Sequence, residues 1–352
     1  MKPMFADAAQ QAFFAKNGWV KLPVLTTEQV AELKNYYEHL DLARPENQGF
    51  HVSMDQQNQD LVQATVAKIY AVALAAATAH LTDVKPFTAS FLAKDPRTST
   101  SIVPVHQDWT FVEEDQGYYS VTFWIALVDV DHHNGALGVI NGSHRFFSNH
   151  RPSPSPYVHT PLANHQFTVF EYLQLVPLKA GEALVFDNRT FHGSPPNQAD
   201  QTRLAVGLGF TQKDAQLCHY YQSPQHQGQR LQKYHVAADF FQHFNNSRIK
   251  TAYEQGLSLP ELTAVATVPY TYETLSTTAL TELILAHDNH PNTALADQVA
   301  ALFQPATPPA GGQLTGQVAE AETDNRSFWQ IYTPLNIVRE FIYRVQKLVS
   351  RV

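Results

Sequence analysis

The chain has 352 residues, with 24 Lys and Arg against 32 Asp and Glu, and a formal charge of −8. With 44% apolar and 16% charged residues it can bury a large core, which excludes wholesale disorder, and its acidic balance excludes a general nucleic-acid binder. The single cysteine, Cys218, excludes internal disulfides and four-cysteine zinc sites.

Along the chain, Met1 to Gln11 lacks the apolar run of a signal peptide. The longest mainly apolar stretch, Ile69 to Ala79, is about half the roughly 20 residues of a membrane span, so a soluble, cytoplasmic protein is expected. Gly18 to Pro23 reads as a short strand. Thr26, with Gln29 as its capping-box partner and Val30, Leu33 and Tyr37 at helical spacing, starts a helix that runs to about Leu42. Leu61 to Leu81 is a second, Ala-rich helix that packs on the body of the fold. From Phe87 the period changes to two, and strands are expected at Phe87–Lys94, Ser101–Trp109, Tyr118–Val130, Ala136–Ile140, Tyr172–Leu178, Ala183–Phe186, Phe191–Gly193 and Arg203–Thr211. Many short strands broken by Pro and Gly clusters imply a barrel or sandwich rather than βαβ units. No dinucleotide or NTP glycine motif is present.

After Thr211 the periodicity weakens. These patterns divide the chain into a support region (1–86), a catalytic β core (87–211) and an extension that can cover the pocket (212–303). A Pro/Gly-rich linker or loop (304–325) and an amphipathic helix (326–352) follow. That last helix joins an apolar stripe, Leu335 to Val352, to Arg339, Arg344, Lys347 and Arg351, so docking, self-association or peripheral membrane contact is expected of it.

Two His-x-Asp pairs occur, His39-Leu40-Asp41 and His106-Gln107-Asp108. Residues i and i+2 point about 200° apart on a helix but share a face on a strand, so only the second pair, in an extended run, can chelate one ion. A third ligand should come from a distant strand, and His192 is the candidate, with Arg203 eleven residues later in a β-patterned run. Two imidazoles and one carboxylate leave three adjacent octahedral positions open, which suits Fe(II) binding a bidentate cosubstrate together with O2. Arg203 offers a planar fork for a distal carboxylate. Gln107 and Trp109 flank the ligands and, by strand alternation, point away from them, as barrel wall or as substrate contacts. Asn188 and Arg189, in a loop before His192, are candidates to reach a polar or anionic substrate.

The order of these motifs resembles the phytanoyl-CoA dioxygenase family of Fe(II)/2-oxoglutarate oxygenases, from about Phe13 to Thr211. The residues that carry the resemblance are Phe13 to Val20, His106-Gln107-Asp108, Thr122 to Leu127, Asn134 to His144, His192-Gly193-Ser194 and Arg203. The resemblance implies a mainly β fold with flanking helices, a jelly-roll or cupin-like double-stranded β-helix. It assigns His106, Asp108 and His192 to iron, Arg203 and Ser194 to the C5 carboxylate of 2-oxoglutarate, and Trp124 to the cosubstrate pocket. It further implies a hydroxylase that acts through an Fe(IV)=O species and releases succinate and CO2. The substrate expected is a small metabolite, a natural-product precursor, or a lipid- or carrier-linked compound. Halogenating relatives replace the carboxylate with Gly or Ala, so Asp108 disfavours a halogenase. The alternative from another class is a cupin-like barrel that binds a metal or ligand without catalysis. One departure stands out: Asn141 occupies a position where the family usually has proline.

Overall fold

The computed structural model describes residues 2–45, 48–154, 158–162, 165, 169–226 and 229–302. The linker expected at 304–325 and the amphipathic helix expected at 326–352 lie outside the described residues. The chain divides into two compact units, Met1–Asn292 and Thr293–Val352. Within the second, the described residues form one helix, Thr293–Leu302.

Thirteen strands are assigned among the described residues: β1 (Trp19–Pro23), β2 (Phe50–Val52), β3 (Val84–Lys94), β4 (Val103–His106), β5 (Ser120–Ala126), β6 (Gly138–Val139), β7 (Gln174–Leu175), β8 (Glu182–Asp187), β9 (His192–Ser194), β10 (Arg203–Gln212), β11 (Cys218–Tyr221), β12 (Arg230–His235) and β13 (Ala266–Pro269). They build a six-stranded sheet in the order β1-β8-β5-β10-β3-β2 and a four-stranded sheet, β4-β9-β6-β7. A third sheet, β11-β12-β13, is made entirely by residues after Thr211. Every ladder pairs antiparallel. Antiparallel sheets with flanking helices are the mainly β architecture expected, and the large and small sheets agree with a double-stranded β-helix core.

The period of two decides what each face of the large sheet does. Leu204, Val206, Leu208 and Phe210 of β10, with Phe91, Phe123, Ile125 and Val185 from its neighbours, face one way into a fully apolar core. Three helices close that face: α1 (Ala8–Asn17), α2 (Thr27–Glu38) and α3 (Gln59–Thr78). The opposite face carries Ala205, Trp124, Ala126, Leu184 and Phe186, which pack with Val139 of the small sheet and with Leu137 just before it. This second face is the barrel interior, and Arg203 and Lys94, paired in register, lie on it.

Several expectations are refined. The Thr26 capping box forms, with the Gln29 N–H donating to Thr26 Oγ1 at 3.3 Å and the Thr26 N–H to Gln29 Oε1 at 3.0 Å. The helix α1 is additional; Asp7 caps its start and Gly18, at φ 83°, ends it in the left-handed region that favours glycine. By length and composition α3 is apolar enough to cross a membrane, more than the Ile69–Ala79 stretch suggests. Its Val66, Ile69, Val72, Ala73 and Ala77 are nevertheless buried in the core. The strand expected over Ser101–Trp109 is shorter: it stops at His106, leaving Asp108 outside any strand.

The described residues after Thr211 form sheets and helices with a core of their own. Phe240, Phe241 and Phe244 join Tyr221, Tyr234 and Ile249, and this cluster packs on Phe87 and Val112 of the first two hundred residues. Its strands are four to six residues long, and its helices Phe240–His243 and Asn246–Glu254 span one turn and nine residues, so its periodicity is weak.

Candidate metal centre

The small sheet brings the two histidines together. His106 ends β4, His192 opens β9, and the two are directly opposite in the β4–β9 ladder. Their ring centroids lie 4.2 Å apart. His106 and His192 each have Nδ1 at 2.9 Å from a backbone carbonyl, of Pro104 and Thr190 respectively. Donation of Nδ1–H to these carbonyls fixes the tautomer and leaves both Nε2 lone pairs for an ion. Burial, then the neighbouring His106, pushes the His192 imidazole down to about 4, which keeps it neutral as a ligand must be.

Asp108 completes the set by a different route. Its peptide N–H donates to Asn188 O at 2.9 Å, and Asn188 Nδ2 donates to Asp108 Oδ2 at 2.8 Å. The other oxygen, Oδ1, lies 3.7 Å from His192 Nε2 and 3.9 Å from His106 Nε2. All three donor atoms fall within 4.8 Å of one another. Among the described residues this is the one group of three or more such side chains close enough to share an ion. Two imidazoles and one carboxyl group, each with its remaining polar atom already bonded, fit a divalent iron of mixed nitrogen and oxygen preference. His192 is buried, whereas His106 and Asp108 are half-buried, so the site opens on their side.

Arg203 lies in the barrel interior at 2% exposure, its guanidinium carbon 5.0 Å from the centroid of the buried Trp124 ring. No carboxylate is paired with it among the described residues; it reaches only Leu92 O, at 3.5 Å, and Nε has no partner. Burial alone pulls its guanidinium down to about 9. A second buried cation, Lys94, lies opposite it in the β10–β3 register and donates to the carbonyls of Ser194 and Pro195. Burial, then the charge of Arg203, holds the Lys94 ammonium well below its ordinary value. Two buried cations without an acidic partner are costly unless an anion is to be bound there, and the planar fork of Arg203 matches a carboxylate. Ser194, 1% exposed, lies on β9 two residues after His192.

The remaining candidates are engaged within the protein. Gln107 Nε2 donates to Arg189 O at 2.6 Å, so strand alternation does not govern its direction. Trp109 is half-buried, edge-on to His219 at 5.0 Å and next to Phe111. The Asn188 amide is divided between Asp108 and Thr122 Oγ1, at 2.8 and 3.0 Å. Arg189 binds Asp187 through two nitrogens, at 2.9 and 2.6 Å, rather than presenting its fork to an anion. Lys94 and the bracing role of Asn188 were not read from the sequence. A lysine closing the apolar run of β3 was the available signal for the first; the second has none, because it depends on contact across 80 residues.

The chain is similar to several solved structures. HygX from Streptomyces hygroscopicus, with nickel, 2-oxoglutarate and hygromycin B bound, is 16% identical over 58% of this chain and 86% of its own, at a TM-score of 0.43. The epimerase SnoN from nogalamycin biosynthesis, in complex with Fe3+, alpha ketoglutarate and nogalamycin RO, is 22% identical over 59% and 84%, at 0.41. AviO1 from Streptomyces viridochromogenes Tue57 is 22% identical over 59% and 96%, at 0.40. No curated protein matches. The sequence model of phytanoyl-CoA dioxygenase matches residues 14–205, more than half of the chain and the whole span of the His106, Asp108, His192 and Arg203 constellation. The chain therefore belongs to the phytanoyl-CoA dioxygenase family of Fe(II)/2-oxoglutarate-dependent enzymes.

Proposed function

We propose that this protein hydroxylates a small organic molecule, with His106, Asp108 and His192 holding Fe(II) and Arg203 anchoring 2-oxoglutarate. The observation that carries this reading is the pairing of a prepared three-donor cluster with a buried guanidinium that has no acidic partner. When bound, iron, 2-oxoglutarate and O2 supply the oxidant, and 2-oxoglutarate leaves as succinate and CO2. The chain's own residues set where this happens. His106 and His192 offer Nε2 because their Nδ1 atoms are held by backbone carbonyls. Asn188 holds Asp108 Oδ2, so that Oδ1 faces the histidines. Arg203, flat beside Trp124, receives the distal carboxylate in a water-excluded interior, where the ion pair is worth more than in solvent. In this reading Ser194, buried on β9, adds a hydroxyl to the same carboxylate. Asp108 fills the coordination position that chlorinating relatives leave open, which supports hydroxylation over halogenation.

Substrate approaches from the exposed side of His106 and Asp108. Trp109, next in sequence to Asp108, is edge-on to His219, which packs on Phe240, and in this reading these residues give the segment after Thr211 a share in the pocket wall. This apolar, aromatic wall suits a compact organic substrate.

An anaerobic titration of Fe(II) and 2-oxoglutarate into the apo-protein tests the cofactor assignment. A visible charge-transfer band that requires both additions and is lost in His192→Ala is expected. A folded protein that binds metal but develops no band sinks the oxygenase reading. Succinate release, screened over candidate compounds, then separates hydroxylation from other oxidations by the mass of the product.

A further inference from the structure

Of the three candidate ligands, Asp108 alone lies outside a strand, so no ladder fixes its backbone. Asn188 O accepts its peptide N–H. On the other side, the Asp108 carbonyl accepts a bond of 2.7 Å from Arg151 Nε. Arg151 is 4% exposed, and the rest of its guanidinium fork closes on the Glu114 carboxylate, with bonds of 3.0 and 2.5 Å. Its backbone is tied to the same segment, its N–H donating to Thr110 Oγ1 at 2.9 Å and its carbonyl accepting the Thr110 N–H at 3.0 Å. A buried arginine that bridges a carboxylate and one chosen peptide carbonyl is a directional constraint, and directional constraint is what a buried ion pair supplies better than net stability.

We propose that Arg151, oriented by Glu114, is a positioning residue for the metal centre: it fixes the Gln107–Trp109 segment so that the Asp108 carboxylate meets the two imidazoles. The inference rests on the metal-site reading above. It assigns Arg151 no contact with metal or substrate; its effect passes through the Asp108 backbone. Lysine cannot replace it, because one ammonium on a flexible stem does not hold the carbonyl and the carboxylate in one plane.

The test is Co(II) binding to the full-length apo-protein, by calorimetry and by the visible ligand-field band, in Arg151→Lys, Arg151→Met, Glu114→Gln and His192→Ala. A merely structural role would lower the apo melting temperature and leave metal affinity alone. The expected result is a loss of about 10- to 100-fold in Co(II) affinity and a shifted band in folded Arg151→Lys, of the size seen when groups that orient a ligand are removed. An affinity within twofold of the wild type, with an unshifted band, overturns the proposal. Should the Arg151 variants fail to fold, Glu114→Gln is judged by the same two criteria. Loss of binding in His192→Ala with wild-type affinity in Arg151→Lys overturns the clamp alone; retained binding in His192→Ala overturns the metal-site reading itself.

Discussion

Asn188 grips Asp108 twice, its backbone carbonyl accepting the Asp108 N–H at 2.9 Å and its side-chain amide donating to Oδ2 at 2.8 Å. The same amide nitrogen donates to Thr122 Oγ1 on β5, which anchors the pair to the large sheet. Replacing Asn188 by Leu keeps the backbone bond and removes the side-chain brace, so Asp108 Oδ2 loses its donor. Metal affinity is expected to fall by about 10- to 100-fold with the chain still folded. Thr122→Val removes only the acceptor behind Asn188 and should cost less. Metal titrations of the two variants check the order; equal losses, or none in Asn188→Leu, contradict it.

Arg203 predicts an opposition between stability and binding. A guanidinium buried without a carboxylate among the described residues burdens the apo-protein, and the neighbouring Lys94, whose charged form burial and Arg203 disfavour, offers it no relief. Arg203→Met fills similar volume without the charge, so the apo-protein should melt no lower than the wild type. Addition of 2-oxoglutarate should raise the wild-type melting temperature by mass action and leave the variant unmoved. Thermal melts with and without 2-oxoglutarate measure both effects. A variant that melts several degrees lower, yet still responds to the ligand, would remove Arg203 from the anchor role.

The legible part of this site was the part encoded locally. His106 and its extended approach, the return of a histidine in a second strand, and an arginine in a β-patterned run can each be read within ten residues. The register puts Trp124 and Arg203, which the resemblance assigns to one pocket, on the same face of the large sheet. The strand argument failed at Asp108, which lies two residues beyond the end of the strand at His106 and is oriented by contacts 80 and 43 positions away. Asn188 and Arg189 looked like free polar loop residues because a sequence does not reveal that Asp108 and Asp187 occupy them. The third sheet was legible only at His219-Tyr220-Tyr221, which reads equally as a strand or a loop edge, because a four-residue run such as Cys218–Tyr221 does not show which strands it pairs with.

His219 gives the fold a pH dependence of known sign. It is fully buried, packed against Trp109 and Phe240, with Nε2 at 2.7 Å from Ser153 Oγ and no partner at Nδ1. Burial pushes its imidazole down to about 3. Above pH 6.5 it is neutral in both the folded and unfolded states and contributes no slope. Between 6.5 and about 3 the unfolded chain takes up a proton that the folded chain refuses, so stability falls as pH falls. One proton of difference corresponds to about 1.4 kcal/mol per pH unit. His219→Gln is expected to be weaker at pH 7 through lost packing, but its stability should decline less steeply below pH 6. Urea unfolding midpoints from pH 7 to pH 4 compare the slopes; parallel curves would mean that His219 is not the group responsible.

Asn141, where relatives usually carry proline, is a junction rather than a neutral turn change. Its N–H, which proline lacks, donates to Asn289 Oδ1 at 2.7 Å, and its carbonyl accepts from Asn289 Nδ2 at 3.1 Å. Its side-chain oxygen accepts from Trp19 Nε1 at 2.7 Å. The following Gly142, at φ 73°, lies so close to His287 that a Cβ there would come within 2.5 Å of the ring. Asn289 is 3% exposed, so the paired amides tie the β-helix turn to the segment after the helix Thr277–Leu285. Restoring the family residue, Asn141→Pro, leaves Asn289 Oδ1 and Trp19 Nε1 without their donor and acceptor, at about 1–3 kcal/mol for each group left buried and unsatisfied. Asn141→Ala keeps the N–H and should cost less. Hydrogen exchange across residues 277–292 should quicken in the proline variant, with the alanine variant intermediate. Wild-type protection in Asn141→Pro would mean that this segment is held by the apolar contacts of Leu280 and Ile284 instead.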